Sequence, residues 1–566
     1  MPTVDFDAPL SASRHAFSSI KDFLGSAPPL NAEEKRLIVN QALLLMNDLY
    51  VHLPLKRAMY AVDPVQRLRL LRSRTRDMNE RAFHAEMISI FSSVRDLHTN
   101  YILPMPYRAA TALLPFELEE FTHEGARKYL VSRLLLGLEH PTFVAGSVVT
   151  HWNGVAIDRA VAINGDRNAG SNEAARHAQG LARMTIRPLM MSLPPDEDWV
   201  DIRYISADGD VYEDRFEWRV LSPPAGDASE AASPTGADDP SLGLMLKVGV
   251  DAESEAVRAI KDELFDERVR QTTEAIRRAL ESGHESAGMY ATVSRYPTIF
   301  EFKRLSPAGD YGYIRIKTFD AFETGGNADA VDSFVAEFRR ILALMPEAGL
   351  VLDVRGNGGG IVTAGERLLQ LLTDEAITPE PMHFIYTDEV LSLCERMPGW
   401  FQRWTPSLER SLRTGATFSQ GWPLSTPEEV NDTGREYGGP VVLLIDASCY
   451  STTDIFAAGF QDHGIGPILG TADATGAGGA NVFTWELLND IQAWTPGPST
   501  VARLARGASF RVAIRRSTRV RQNAGMVLED LGVEPEYRHD RTLDDLLHDD
   551  RDLLARAVEL LHPAGS

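Results

Sequence analysis

Lysine disappears from this chain after Lys317, so residues 318–566 contain none. Any chemistry in that half that needs a basic side chain must take it from histidine, from arginine, or from elsewhere in the fold. Cysteine is almost absent. Cys394 and Cys449 are the whole complement, which excludes a disulfide framework. No apolar run approaches the roughly eighteen residues needed to cross a bilayer. The opening Met1-Pro-Thr-Val-Asp-Phe-Asp lacks the basic and apolar blocks of a signal peptide, so the expected location is the cytoplasm, without membrane association. Basic charge is in deficit, 80 acidic against 57 basic side chains, a balance that repels phosphate at long range and argues against nucleic acid as a partner. His-Glu-x-x-His and Cys-x-x-Cys spacings are missing too, so the sequence implies no metal and no cofactor.

Glycine is plentiful at one point. Gly349-Leu-Val-Leu-Asp-Val-Arg-Gly-Asn-Gly-Gly-Gly360 is an apolar, strand-like run ending in a charged pair and a turn with four glycines in five residues. Such a turn bends sharply and can aim bare N–H groups at an anion. Nucleotide spacing fails. Counting Gly-x-Gly-x-x-Gly from Gly356 ends on Ile361, from Gly358 on Thr363, and no Gly-Lys-Ser/Thr follows. Two readings stand: backbone donors for an oxyanion, or a tight turn without chemistry.

About ninety residues on, Pro440-Val-Val-Leu-Leu-Ile445 reads as a buried strand and Thr452 to Asp462 as a helix, with Asp446-Ala-Ser-Cys-Tyr-Ser451 between them. Ser451-Thr-Thr-Asp454 fits a capping box, which would make Ser451 a helix cap. A nucleophile at the same place would gain the positive end of the helix and the Thr452 N–H.

Together these segments resemble the C-terminal-processing, or tail-specific, serine peptidase family. Asp353-Val-Arg-Gly-Asn-Gly-Gly-Gly360 follows that family's Asp-Leu-Arg-x-Asn-x-Gly-Gly, and Cys449-Tyr-Ser-Thr-Thr-Asp-Ile455 follows its Ser-Ala-Ser-Ala-Ser-Glu-Ile, with Ser451 on the nucleophile position. Gln461-Asp-His-Gly464 and Gly470-Thr-Ala-Asp-Ala-Thr-Gly476 resemble its later Gln-Asp-x-Gly and Gly-Glu-x-Thr-x-Gly. The likeness runs from about residue 300 to 540. Many relatives use a lysine about twenty-five residues after the serine, where this chain has Thr475-Gly-Ala-Gly-Gly479. The departure points to the histidine-using branch, typified by tricorn.

That branch places its base in an Asp-x-His-Thr sequence at the end of a helix. Phe83 to Leu97 has helical spacing and leads into Asp96-Leu-His98-Thr99, so the resemblance makes His98 the base among the 14 histidines; apart from it, His98 reads as a capping or structural residue. His463, twelve residues after Ser451 on the same helix, lies about 18 Å away, out of reach. Met526-Val-Leu-Glu-Asp-Leu-Gly-Val-Glu-Pro535 follows the family's Glu-x-x-Gly-Val-x-Pro-Asp, which implies Glu529 as the carboxylate orienting His98. Tricorn links the two through a serine just before its histidine. Leu97 stands there in this chain, leaving the contact direct, bridged by water, or absent. The resemblance further implies an oxyanion hole from the N–H groups of Gly359 and Thr452, with Gly358 the alternative to Gly359, and a protein or peptide substrate. Asp353 and Arg355 are read as bracing the turn, and Cys449 as a packing residue.

The expected fold is mixed α/β: a peptidase core of crotonase- and ClpP-like type, an N-terminal helical domain and a PDZ-like β domain. The expected boundaries are 1–110 helical and carrying the base, 111–221 PDZ-like, 222–241 a disordered linker rich in Pro, Ala, Gly, Ser and Asp, 242–299 connecting helices, and 300–566 the core. Asn31-Ala-Glu-Glu34 reads as a capping-box start. Gly146-Ser-Val-Val-Thr-His-Trp-Asn-Gly-Val-Ala-Ile157 resembles a PDZ hairpin turning at Asn153-Gly154, an ordinary hairpin being the alternative. Glu253 to Ser282 reads as a solvated connecting helix. A catalytically inactive binding scaffold and a crotonase-like thioester enzyme remain as alternatives to a serine endopeptidase. Oligomeric state leaves no mark in the sequence.

Overall fold

The computed structural model describes residues 2–11, 13, 15–222, 252–282, 289–305, 310–325, 329–494 and 500–562; beyond Ser222, the expected linker lies outside the described residues. The architecture is mixed α/β. A six-stranded sheet runs in the order Phe300–Leu305, Tyr311–Ile316, Leu350–Asp353, Val441–Ile445, Ile468–Gly470 and Tyr537–Arg538. The first pair is antiparallel and the rest are parallel. Every residue of Leu350–Asp353 and of Val441–Ile445 is buried, as strands covered on both faces require. Because side chains alternate across a strand, Leu350, Leu352, Leu443 and Ile445 join one core with Phe334, Phe338, Leu368 and Phe456 from helices. Val351, Val442 and Leu444 turn the other way, onto Leu553, Ala557 and Leu560 of the helix Arg551–Leu561.

Leu350–Asp353 and Val441–Ile445 pair in parallel, Asp353 opposite Leu444, so the segments that follow each strand leave the sheet at the same edge and side by side. A second sheet contains Ala480–Thr484, Ser509–Ser517, Pro381–Phe384 and Trp422–Pro423. Asn100–Ile102, from the N-terminal region, pairs antiparallel with Ser509–Ser517 in that sheet.

The N-terminal region does hold helices, including Ala32–Leu44, Leu53–Tyr60, Pro64–Arg74 and Glu80–Ser92, and the Asn31/Glu34 capping box is formed. It also contributes strands elsewhere: Thr3–Val4 pairs with Val211–Glu217, and Ala16–Ser19 with Arg219–Ser222. The β-rich region forms a seven-stranded sheet in which Val148–Trp152 and Val155–Ala156 make a hairpin. Asn153 and Gly154 turn it with φ of 49° and 75°, the left-handed pair a tight hairpin needs.

Glu253 to Ser282 departs from the expected solvated helix. It is two helices, Ala252–Leu264 and Glu267–Ser282, with Ile260, Leu264, Phe265, Val269 and Ile276 buried. Its charges are spaced so that one face stays apolar, and charge density alone concealed that face. No helix among the described residues is long and apolar enough to cross a membrane.

Candidate active site

The two neighbouring strand ends build the first half of the site. After Asp353 the chain enters the glycine turn, where Arg355 clamps back onto Asp353 (Nη2 to Oδ2 2.6 Å) and reaches forward to Asp550 (2.6 Å). Burial opposes the Asp353 charge, but Arg355 and Arg315 overcome it and hold its carboxyl down at about 2. The pair braces the turn, as its composition suggested.

Gly359 has φ +107°, and a Cβ there would sit 2.6 Å from Cβ of Ser451 and 3.0 Å from the Thr452 nitrogen. Only glycine fits. The turn therefore packs directly on the second segment. Its own wiring is set by Asn357, whose Oδ1 accepts the Gly359 N–H at 2.9 Å and whose carbonyl accepts the Tyr450 N–H at 3.1 Å. The N–H groups of Gly358 and Thr452 enter no hydrogen bond among the described residues.

Ser451 heads the helix Thr452–Asp462, yet its side chain makes no capping bond. Its backbone, φ 61° and ψ −121°, is a conformation that L-residues rarely adopt, and such strain persists only where surroundings enforce it. Here Asp446 enforces it from below, its Oδ1 accepting N–H groups of Gly356, Ser448 and Cys449 at 2.9–3.0 Å. Asp454 does so from above by accepting the Ala477 and Gly478 N–H groups. Burial raises Asp454 to about 6 against the pull of those bonds. Cys449 is buried, and burial, followed by the Asp446 charge, pushes its thiol well up, so it is unreactive packing.

His98 arrives from the N-terminal region. The helix Glu80–Ser92 ends, and Asp96 accepts the His98 N–H (2.7 Å) and the Thr99 hydroxyl (3.1 Å). Thr99 then accepts the Ala513 N–H, while the Ala513 carbonyl accepts the Val51 N–H. One residue of the second sheet thus pins both His98 and His52 against the core. The His98 ring packs on Tyr450, the residue before Ser451, with centroids 4.5 Å apart, and the Tyr450 hydroxyl accepts the Leu97 N–H. Both His98 nitrogens are buried and without a hydrogen-bond partner. Burial, with a lesser contribution from Arg511, keeps the imidazole well below its ordinary pKa, hence neutral.

Glu529 is buried and bonded to groups other than His98. Its Oε1 accepts Lys56 Nζ at 2.6 Å and the Ser171 hydroxyl at 3.1 Å; its Oε2 has no hydrogen-bond partner and lies 3.9 Å from His52 Nε2. Lys56 also binds Asp530 Oδ1 at 2.6 Å. No hydrogen bond joins Glu529 to His98 among the described residues. Burial, then the Asp96 charge, pushes the Glu529 carboxyl well up, with Lys56 opposing. Sequence reasoning missed Lys56, His52, Ser171 and Tyr450. Three of the four carry no local motif, and Tyr450 was visible only as a neighbour of Ser451.

Residues 310–537 match the model of peptidase family S41. Over that segment the chain is similar to peptidase family S41. Among solved structures it is similar to mature CPAF, at 14% identity over 94% of this chain and 99% of that one, with a TM-score of 0.63. CPAF complexed with lactacystin gives 14%, 94%, 99% and 0.62. The photosystem II D1 C-terminal processing protease gives 13% identity over 90% and 94% of the two chains, with a TM-score of 0.36. No curated protein matches. The CPAF likeness shows a shared fold over nearly the whole length. The matched S41 segment contains the glycine turn, Ser451 and Glu529, whereas His98, His52 and Lys56 come from outside it.

Proposed function

We propose that the chain is a serine endopeptidase acting on proteins or peptides, with Ser451 as nucleophile, His98 as general base and Glu529 as the carboxylate supporting it. The observation that carries this reading is the Ser451 backbone: a strained residue between a buried strand and a helix, capping nothing, pressed against a glycine turn. His98 takes the Ser451 proton as the hydroxyl attacks a peptide carbonyl, returns it to the leaving amine, and then activates water to release the acyl-enzyme. The neutral His98 is in the protonation state a base needs. Thr452 and Gly358 offer uncommitted N–H groups to the oxyanion, while Gly359 contributes only after Asn357 releases it.

In this conformation His98 packs on Tyr450 with the ring planes tilted by 40° and makes no hydrogen bond, so catalysis requires the imidazole to turn toward Ser451. A fluorophosphonate probe tests the assignment. Labelling of the wild-type chain that vanishes in Ser451→Ala and in His98→Ala is expected. Labelling that survives in Ser451→Ala refutes it, and a chain that never labels favours the inactive scaffold.

A further inference from the structure

The side chains behind His98 form a donor set that neither the sequence motifs nor the S41 match explains. His52, Asp96 and Glu529 are all buried, and one ligand atom from each lies within 4.8 Å of the others. His52 has 0% exposure with neither ring nitrogen hydrogen-bonded, and Glu529 Oε2, facing it, has no partner either. Buried polar atoms are rarely left unsatisfied, and His52 Nε2 and Glu529 Oε2, 3.9 Å apart, mark a site for something that would satisfy both.

Charge narrows what that is. Lys56 and Asp530 balance each other across their 2.6 Å contact. Asp96 and Glu529 are two further buried acids, and ionising both is costly unless a cation or a proton offsets the charge. A divalent ion would neutralise both. Glu529 can serve Lys56 and the ion at once, because Lys56 holds Oε1 and leaves Oε2 free.

Geometry permits it. Three atoms within 4.8 Å of one another have a point no more than about 2.8 Å from all three, so inward shifts of at most about 0.6–0.8 Å would bring them to zinc–ligand bonds of about 2.0–2.2 Å.

We propose that His52 nitrogen, Asp96 oxygen and Glu529 Oε2 bind a divalent transition-metal ion of the zinc class, and that the ion silences the peptidase by taking the carboxylate that supports His98. The inhibitory half rests on the serine-peptidase reading above; the site itself does not. A tetrahedral ion needs a fourth donor. A water molecule can complete the set, as it does where a protein supplies three ligands. Since the site is closed to solvent, the ion enters as the chain folds.

The test uses the full chain, unfolded and refolded with Zn²⁺ and then freed of loose metal. Elemental analysis should find about one zinc per wild-type chain, and less than about a tenth of that in His52→Ala and Asp96→Asn whose folding circular dichroism has verified. Refolding with Co²⁺ gives a readout that needs no variant: visible absorption bands of a nitrogen- and oxygen-ligated cobalt are expected, and their absence overturns the site. Zinc below a tenth of an equivalent in the wild type, or an equal load in His52→Ala, also overturns it. Zinc-loaded wild type should react with the fluorophosphonate probe at least about 10-fold more slowly than the metal-free chain; equal rates refute the inhibitory half. If the metal-free chain never reacts while the zinc load is as expected, the serine-peptidase reading fails and the metal site stands.

Discussion

The glycine turn and the serine elbow are wired by bonds that stay within a few residues or cross one strand pair. Asn357 holds Gly359 and Tyr450, Asp446 holds Gly356 and Cys449, and Arg355 holds Asp353. The arm carrying the base is different. His98 and His52 are buried with their imidazoles unbonded, and the charges around them meet across up to 474 residues of sequence. One half is specified by backbone geometry and leaves Ser451 little freedom. In the other, packing fixes where the histidines sit while their ring nitrogens keep no set partner. The nucleophile half is thus preorganised, and the base half is the part able to change state.

Substitutions that break each half separately would test this contrast. The largest effect expected is Ser451→Ala, which should lower peptidase turnover by at least about 10⁴-fold in a fluorogenic peptide assay while leaving the melting curve nearly unchanged. Next, Arg355→Leu removes one member of a buried ion pair and leaves Asp353 with only the Tyr313 hydroxyl and the Arg315 charge to support it. A loss of about 3–5 kcal/mol is expected in urea unfolding, and a loss under about 1 kcal/mol would mean the turn does not depend on its clamp.

Gly359→Ala should follow, with turnover down by about 10²-fold or more, because its Cβ would collide with Ser451 and its left-handed φ disfavours any side chain. Unchanged turnover would show that the nucleophile half is looser than its contacts suggest.

Two pH effects complete the series. On the base side, a His98 pKa below its ordinary value keeps the base unprotonated down to correspondingly lower pH. The acid limb of kcat/KM should therefore lie below pH ~6.5, and a limb at or above that value contradicts the buried histidine. On the turn side, Glu366 lies in the helix Val362–Gln370 that follows the glycines, and burial raises its carboxyl from 4.5 to about 7. A raised folded-state pKa means that the folded chain keeps a proton the unfolded chain releases. Its contribution is full below about pH 4.5 and is lost as pH rises through about 7. Stability of the wild type should show that decline, and Glu366→Gln should flatten it.

Much of the nucleophile half was legible in advance. The strand ends, the turn, the helix after Ser451 and the Asp353–Arg355 pair depend on local sequence, and the expected strand Pro440–Ile445 is observed as Val441–Ile445. The capping box that competed for Ser451 was also a legitimate local reading. It is not formed, because Ser451 takes a backbone conformation that a capping residue does not use. The Glu253–Ser282 stretch was misread for the opposite reason: its charges are conspicuous, while its buried face depends on what it packs against.

By itself the sequence determined that Ser451 stands between a buried strand and a helix, beside a glycine turn, and that its own half of the chain holds no lysine. Short-range sterics and strand pairing leave such a turn few alternatives. Only the tertiary structure decided that Glu529 meets Lys56, Ser171 and His52 rather than His98 directly. That outcome depends on how buried charges from distant segments compensate one another, and no local pattern encodes it.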